Sequence, residues 1–330
     1  MSGDTRAFQA LTATVGERIV ERLTDVEERL VAIVETRAPG ATAPALTTLQ
    51  AGGKRLRPLL VLTCGAINDA TPGRQRALIG AAASVELVHM ATLVHDDVLD
   101  DAALRRGRPT VYASDGRDAA MQTGDLLFAL AFEELATGGD PEQVRALSSA
   151  SSGLAKGELL QREDAWDATV TRERYLKRCT LKTARLFEAA ANLGAHAGGR
   201  PQLAESLGAF GSKVGLAFQL ADDVLDVIAP TEQTGKTRGA DLLDGTVNLP
   251  LIVAAEREPA LRELELKSID TPEKAAEVCD RIIATGAPED VAAHARELVE
   301  EAKALLGTEI SAAERQVFET IADQAVGRST

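Results

Sequence analysis

Leu87-Val88-His89-Met90-Ala91-Thr92-Leu93-Val94-His95-Asp96-Asp97-Val98-Leu99-Asp100 runs an apolar stretch straight into a box of three carboxylates. The construction recurs in Val214-Gly215-Leu216-Ala217-Phe218-Gln219-Leu220-Ala221-Asp222-Asp223-Val224-Leu225-Asp226. Both stretches read as helices that bury themselves and then expose their last turns. Residues four apart share one helix face, so Asp96 pairs with Asp100 and Asp222 with Asp226, while Asp97 and Asp223 lie one step round. Like charges at that spacing cost an isolated helix roughly a few tenths of a kcal/mol, which a bound cation would offset. A solvated acidic face explains one such box as well as a ligand does. The repeat and its apolar flanks favour two metal-binding faces, and carboxylates suit a hard ion such as Mg2+, which keeps waters and shares phosphate oxygens.

Outward from the boxes, apolar positions recur at spacings of three and four, as in Val15, Ile19, Leu23, Val26, Leu30 and Val34. Strictly alternating runs are lacking, so the chain reads as all-α, with residues 1–330 forming a single domain. Turn or cap signals fall at Thr71-Pro72-Gly73, Arg106-Gly107-Arg108-Pro109, Gly138-Gly139-Asp140-Pro141, Gly198-Gly199-Arg200-Pro201, Ala229-Pro230 and Gly286-Ala287-Pro288, leaving room for ten or more helices. No apolar run approaches the roughly 18 residues that span a bilayer, and Met1-Ser2-Gly3-Asp4 has neither a basic nor an apolar leader. The expectation is a cytoplasmic chain without a transmembrane segment. Cys64, Cys179 and Cys279 are odd in number and far apart, and read as buried thiols.

A net charge of −14 argues against nucleic acid or an anionic membrane surface as partner. Basic clusters are therefore informative, and there are two: Lys54-Arg55-Leu56-Arg57, between Gly52-Gly53 and Pro58, and Arg105-Arg106-Gly107-Arg108. Glycines let the backbone approach a ligand closely, and a proline there suits a helix start. Two acidic metal faces and two basic groups are what a site for two separate diphosphates requires.

Gly52-Gly53-Lys54-Arg55-Leu56-Arg57-Pro58, the first box with Arg105-Arg106-Gly107, Lys182-Thr183, and Phe218-Gln219 before the second box together resemble the trans-type isoprenyl diphosphate synthases, from about Leu49 to Leu251. The resemblance implies a single-domain isoprenoid synthase-type helical bundle around a central cavity, usually a homodimer. It implies that isopentenyl diphosphate is bound by Lys54, Arg57, His89 and Arg106, beside Gly53, and an allylic diphosphate by Arg105, Lys182, Thr183, Gln219 and Lys236. Asp96, Asp100 and Asp222 match the principal Mg2+ ligands, with Asp97 and Asp226 supporting; the catalytic set is Asp96, Asp97, Asp100, Arg105, Lys182, Asp222 and Asp223. A lone histidine on an apolar helix is more often core; the family position makes His89 a binding residue. One departure stands out. Where many relatives carry a Gly-Lys pair before Leu-Pro, this chain has Gly245-Thr246-Val247-Asn248-Leu249-Pro250, one cation fewer, for which Lys236 and Arg238 could compensate.

The implied chemistry is ionisation of the allylic diphosphate, attack by the double bond of isopentenyl diphosphate, and proton loss to the released diphosphate. A class I terpene cyclase would need no second substrate and would carry a mixed second metal motif. A regulatory subunit of a heteromeric synthase would be expected to have lost a box. Product length turns on geometry: Ala91 and Thr92, one turn before Asp96, are small where bulky residues close the tunnel early in the family, as in synthases of longer chains. Gly157-Glu158-Leu159-Leu160-Gln161 points the same way. A deeper floor would be Phe128 or Phe132, equally readable as core. The expected product lies between hexaprenyl and decaprenyl, with geranylgeranyl diphosphate as the alternative.

Overall fold

The computed structural model describes residues 17–38, 40–67, 70–230 and 237–327, which carry fifteen α-helices and one two-stranded hairpin. They fall into two compact units. The first takes the described residues up to Ser151 together with Leu186–Gly211 and Gly307–Ile321; the second takes Ser152–Arg185, Ser212–Leu306 and the residues from Ala322 on.

In the first unit, α1 (Glu17–Arg37), α2 (Thr42–Gln50), α3 (Leu56–Cys64), α4 (Pro72–Leu99), α5 (Val111–Asp115) and α6 (Arg117–Thr137) follow one another. The three-and-four pattern of α1 is borne out: Ile19, Leu23, Val26, Leu30 and Val34 are all buried, while Val15 lies outside the described residues. Helix α4 is the axis of this unit and packs against α1, α3 and α6. Thr71 precedes it in extended conformation and Pro72 opens it, where a missing N–H costs nothing. Residues 81–88 are buried on every face, the mark of a core helix. The expectation that no apolar run could span a bilayer needs correcting here. An 18-residue window of α4 is long and apolar enough by composition, and 67% of it is buried inside the protein, because a helix packed on all sides needs the same apolar surface as one facing lipid.

The all-α expectation holds apart from one local device. Leu104–Arg105 (β1) and Arg108–Pro109 (β2) pair antiparallel around Arg106 and Gly107, both at positive φ, as a two-residue hairpin turn requires. The second basic cluster is thus a hairpin directly after the first box.

Helix α7 (Pro141–Asp164) leads into the second unit, where α8 (Arg172–Cys179) runs into a π-helical turn at Thr180–Ala184; α9 (Arg185–Ala197), which follows, belongs to the first unit from Leu186 on. Helix α10 (Ala204–Ile228) carries the second box, and α11 (Ala240–Leu243), α12 (Leu249–Arg257), α13 (Pro272–Ala284), α14 (Ala287–Ala304) and α15 (Ala312–Val326) follow. Helix α12 packs on α8 and α14. Buried Arg178 ties α8 to Asp164 at 3.3 Å and to the Val247 carbonyl. All three cysteines are buried and unbridged.

Candidate active site

Helix α4 places the first box at its end: Asp96 and Asp97 lie in the last turn and Asp100 is the C-cap, its N–H donating to the Asp96 carbonyl at 2.9 Å. The three carboxylates are not equivalent. Asp100 is exposed and Asp96 half-buried, whereas Asp97 is buried and accepts from Arg105 Nε at 2.7 Å. Burial raises the Asp97 carboxyl above its ordinary range, and Arg105 opposes the rise. The hairpin therefore folds Arg105 back onto the helix that precedes it.

Four cations gather near His89. In the Gly52-Gly53-Lys54-Arg55 loop, Arg55 has a left-handed backbone (φ 49°) and a buried side chain. It donates to Glu27, to Glu86 at 2.6 Å and to the Leu49 carbonyl at 3.1 Å. Burial works against its charge, but Glu86 and Glu27 more than restore it and hold Arg55 above the ordinary arginine value. Arg55 is thus the anchor of the loop. Arg57 lies 4.5 Å over the Phe187 ring, its Nε buried without a partner, and burial lowers it to about 10. A Cβ on Gly53 would sit 2.8 Å from Arg106 Nη1, so glycine is what lets the hairpin arginine reach this loop. Burial first, then Arg57, Arg106, Arg55 and Arg105, hold the His89 imidazole well below its ordinary 6.5. This corner gathers positive charge around the ring, an arrangement whose electrostatics suit an anion.

Further along α4, Ala91 has no exposed surface, while Thr92 is half-buried and donates to the His89 carbonyl at 2.7 Å. On α6, Phe128 and Phe132 are half-buried. Phe128 stacks on His95, ring centres 5.8 Å apart, and His95 Nε2 also lies 3.3 Å from Asp125.

In the second unit the π-turn carries Lys182 and Thr183, an irregularity of the kind found at functional sites. Helix α7 crosses it at Gly157, where a Cβ would lie 2.6 Å from the Lys182 backbone nitrogen. Lys182 Nζ pairs with Glu158 on the same helix. Thr183 Oγ1 donates to Gln219 Oε1 at 2.8 Å, and Gln219 Nε2 donates to Asp223 Oδ1 at 2.9 Å. Asp223 Oδ2 accepts from the Tyr175 hydroxyl and from the Leu249 backbone N–H, the latter at 3.2 Å. Burial pushes Asp223 up to about 6 against these hydrogen bonds. The outer pair differs: Asp222 is exposed and Asp226 half-buried, with the Asp241 N–H donating to Asp226 Oδ2 at 3.3 Å. Half-buried Asp241, beside Asp226, is driven well above its ordinary range by desolvation and the neighbouring carboxylates.

Thr246 supplies no cation, its N–H donating to the Asp241 carbonyl at 2.8 Å. Arg238 is engaged by the Val227 carbonyl at 2.7 Å and Asp280 at 2.8 Å, which counts against it as compensation. Lys236 lies outside the described residues. Among the described residues no three His, Cys, Asp or Glu side chains are gathered as a ready-made metal cage. Sequence reading missed three contributors. Phe187 and Tyr175 belong to none of the motifs, and Arg55 was not told apart from its basic neighbours. The one available signal was scarcity, since the chain has two tyrosines and a buried hydroxyl requires a partner.

A family model for polyprenyl synthetase matches residues 39–285. The chain is 42% identical over 237 residues to heptaprenyl diphosphate synthase component 2 of Geobacillus stearothermophilus, spanning 72% of this chain and 73% of that protein. It is 40% identical over 205 residues to octaprenyl diphosphate synthase of Escherichia coli, 62% of each chain. The crystal structure of a polyprenyl synthase from Caulobacter crescentus, complexed with calcium and isoprenyl diphosphate, superimposes with a TM-score of 0.89 at 33% identity, covering 96% of this chain and 98% of that one. The fold is accordingly the all-α isoprenoid synthase fold, and the chain belongs to the polyprenyl synthetase family.

Proposed function

We propose that the chain is a trans-prenyltransferase that condenses isopentenyl diphosphate with an allylic diphosphate to give a long all-trans polyprenyl diphosphate, hexaprenyl to decaprenyl. The observation that carries this reading is the same division in both boxes. In each, the second carboxylate is buried and hydrogen-bonded, and the outer pair remains toward solvent at a helix C-terminus. A cation is favoured at the negative end of a helix dipole, where these carboxylates stand. One or two carboxylates per ion with room for water is what Mg2+ accepts, so Asp96 with Asp100, and Asp222 with Asp226, are its proposed ligands. Bound Mg2+ would neutralise diphosphate charge.

The remaining roles fall to side chains. Lys54, Arg57, His89 and Arg106 bind the diphosphate of isopentenyl diphosphate, and Gly53 makes room for them. Lys182, Thr183, Gln219, Arg105 and Lys236 serve the allylic diphosphate, with Lys182 exchanging Glu158 for phosphate oxygens. Neutralising the leaving group lets the allylic C–O bond break with the electron pair on oxygen. The isopentenyl double bond then forms the new C–C bond, and the proton lost from the product passes to the released diphosphate. Thr92, Ala91, Phe128 and Phe132 are the proposed chain-length positions. Residues 1–330 are proposed to act as one polyprenyl synthase-like domain, in a cytoplasmic homodimer. The test is incubation of the purified chain with radiolabelled isopentenyl diphosphate, Mg2+ and each allylic primer, followed by chromatography of the dephosphorylated products. A ladder ending between hexaprenyl and decaprenyl is expected. A C20 end product would select the geranylgeranyl alternative, and absence of any condensation would refute the reading.

A further inference from the structure

Tyr175 belongs to none of the motifs, yet its buried hydroxyl ends a continuous chain of hydrogen bonds. Thr183 Oγ1 donates to Gln219 Oε1 at 2.8 Å, Gln219 Nε2 donates to Asp223 Oδ1 at 2.9 Å, and the Tyr175 hydroxyl donates to Asp223 Oδ2, which also accepts from Leu249 N at 3.2 Å. The chain joins α8, the π-turn, α10 and the first residue of α12. Every donor in it has one direction. A tyrosine hydroxyl facing a carboxylate can only donate, and an amide that gives its N–H to Asp223 offers its oxygen to Thr183.

Both oxygens of Asp223 are thereby occupied on the protein side, and a carboxylate accepting three donors has little reason to turn outward. Asp222, its neighbour on the helix, is exposed, and Asp226 is half-buried. We infer that Tyr175 is a positioning residue for the second acidic box: it holds Asp223 inward, so that Asp222 and Asp226 form the metal-binding face, and it fixes through Gln219 and Thr183 the turn that carries Lys182. The inference rests on the proposed prenyltransferase reading and deepens it. Tyr175 acts on the metal face and the allylic side, because the hydrogen bonds of its hydroxyl run to Asp223 and from there to Gln219 and Thr183.

The hydroxyl can be removed without disturbing the ring. Tyr175→Phe, checked by circular dichroism, is expected to weaken binding of Mg2+ with inorganic pyrophosphate by about tenfold in calorimetry, the equivalent of one charge-assisted hydrogen bond. The Mg2+ concentration for half-maximal turnover and the KM for the allylic substrate should rise together, with the KM for isopentenyl diphosphate unchanged. Asp223→Asn should give the same pattern, and the double variant should be no worse than either single one, since the two groups act as a unit. Unchanged Mg2+ and pyrophosphate binding in Tyr175→Phe, or an equal rise in both Michaelis constants, would overturn the inference. Should Tyr175→Phe not fold, Asp223→Asn with normal Mg2+ binding overturns it equally. Wild-type protein without condensing activity would instead remove the function reading, while the calorimetric arm still decides the role of Tyr175.

Discussion

In the proposed site, Arg57 is a single side chain kept ready for an anion. Its guanidinium lies over Phe187 with Nε unpaired and buried, and burial disfavours its charge, so a diphosphate would relieve an existing deficit. Lysine offers a point charge without the fork or the stacking plane. Arg57→Lys should therefore raise the KM for isopentenyl diphosphate by about tenfold while leaving that of the allylic primer alone, as steady-state kinetics with each substrate varied would reveal. Glu314 carries a different kind of charge. It accepts from Arg200 and from Ser311, at 2.7 Å for the Ser311 hydroxyl. Burial acts to raise its carboxyl, but the Ser311 and Arg200 partners win and hold it below 4.5. A group depressed in the folded state stabilises above its unfolded value and loses that contribution as pH falls through the folded value. Glu314→Gln should thus cost about 1 kcal/mol at neutral pH. Thermal melts of the two proteins should converge as the pH drops below the ordinary glutamate value of 4.5.

At the scale of elements, α4 sorts two adjacent small residues that look alike in sequence. Ala91 is fully enclosed, and a phenylalanine there would meet packed atoms, costing roughly 1–3 kcal/mol. Thr92, one position on, retains exposed surface and can project a ring away from the core. Thr92→Phe is therefore expected to shorten the product toward farnesyl or geranylgeranyl diphosphate at near-normal stability. Ala91→Phe is expected to lower the melting temperature first. Product chromatography beside melting curves distinguishes the two, and an unchanged product distribution from a well-folded Thr92→Phe would mean that the growing chain does not pass this face. The π-turn is the second decisive element. Its widened helix brings Lys182 against α7 at a point where only Gly157 fits, so the cation is placed by backbone geometry as much as by its own side chain.

For the whole molecule, the proposed metal chemistry requires both boxes. Asp96→Ala and Asp222→Ala should each lower turnover by about two orders of magnitude or more with the fold intact. Chelation of divalent ions should abolish activity, and Mg2+ should restore it. Near-normal turnover in either variant at limiting Mg2+ would refute the metal assignment. The heptaprenyl relative is named as one component of an enzyme, so activity of the purified chain alone is itself a result: the homodimer proposal predicts full turnover without a second polypeptide. The sequence alone was enough to determine the all-α class, the turn positions, both boxes, both basic groups and the family, because helical period and motif spacing are local properties of the chain. The start of α4 at Pro72 and the boxes at the ends of α4 and α10 fell where spacing placed them. Only the tertiary structure decided which carboxylates of each box turn inward, that Arg55 anchors while Arg57 stays partly unpaired, and that Thr92 and not Ala91 keeps exposed surface. Each of these depends on groups distant in the chain, such as Tyr175 for Asp223 and Glu86 for Arg55. Burial and hydrogen bonding are set by what packs against a side chain, and spacing along one helix carries no record of that neighbour.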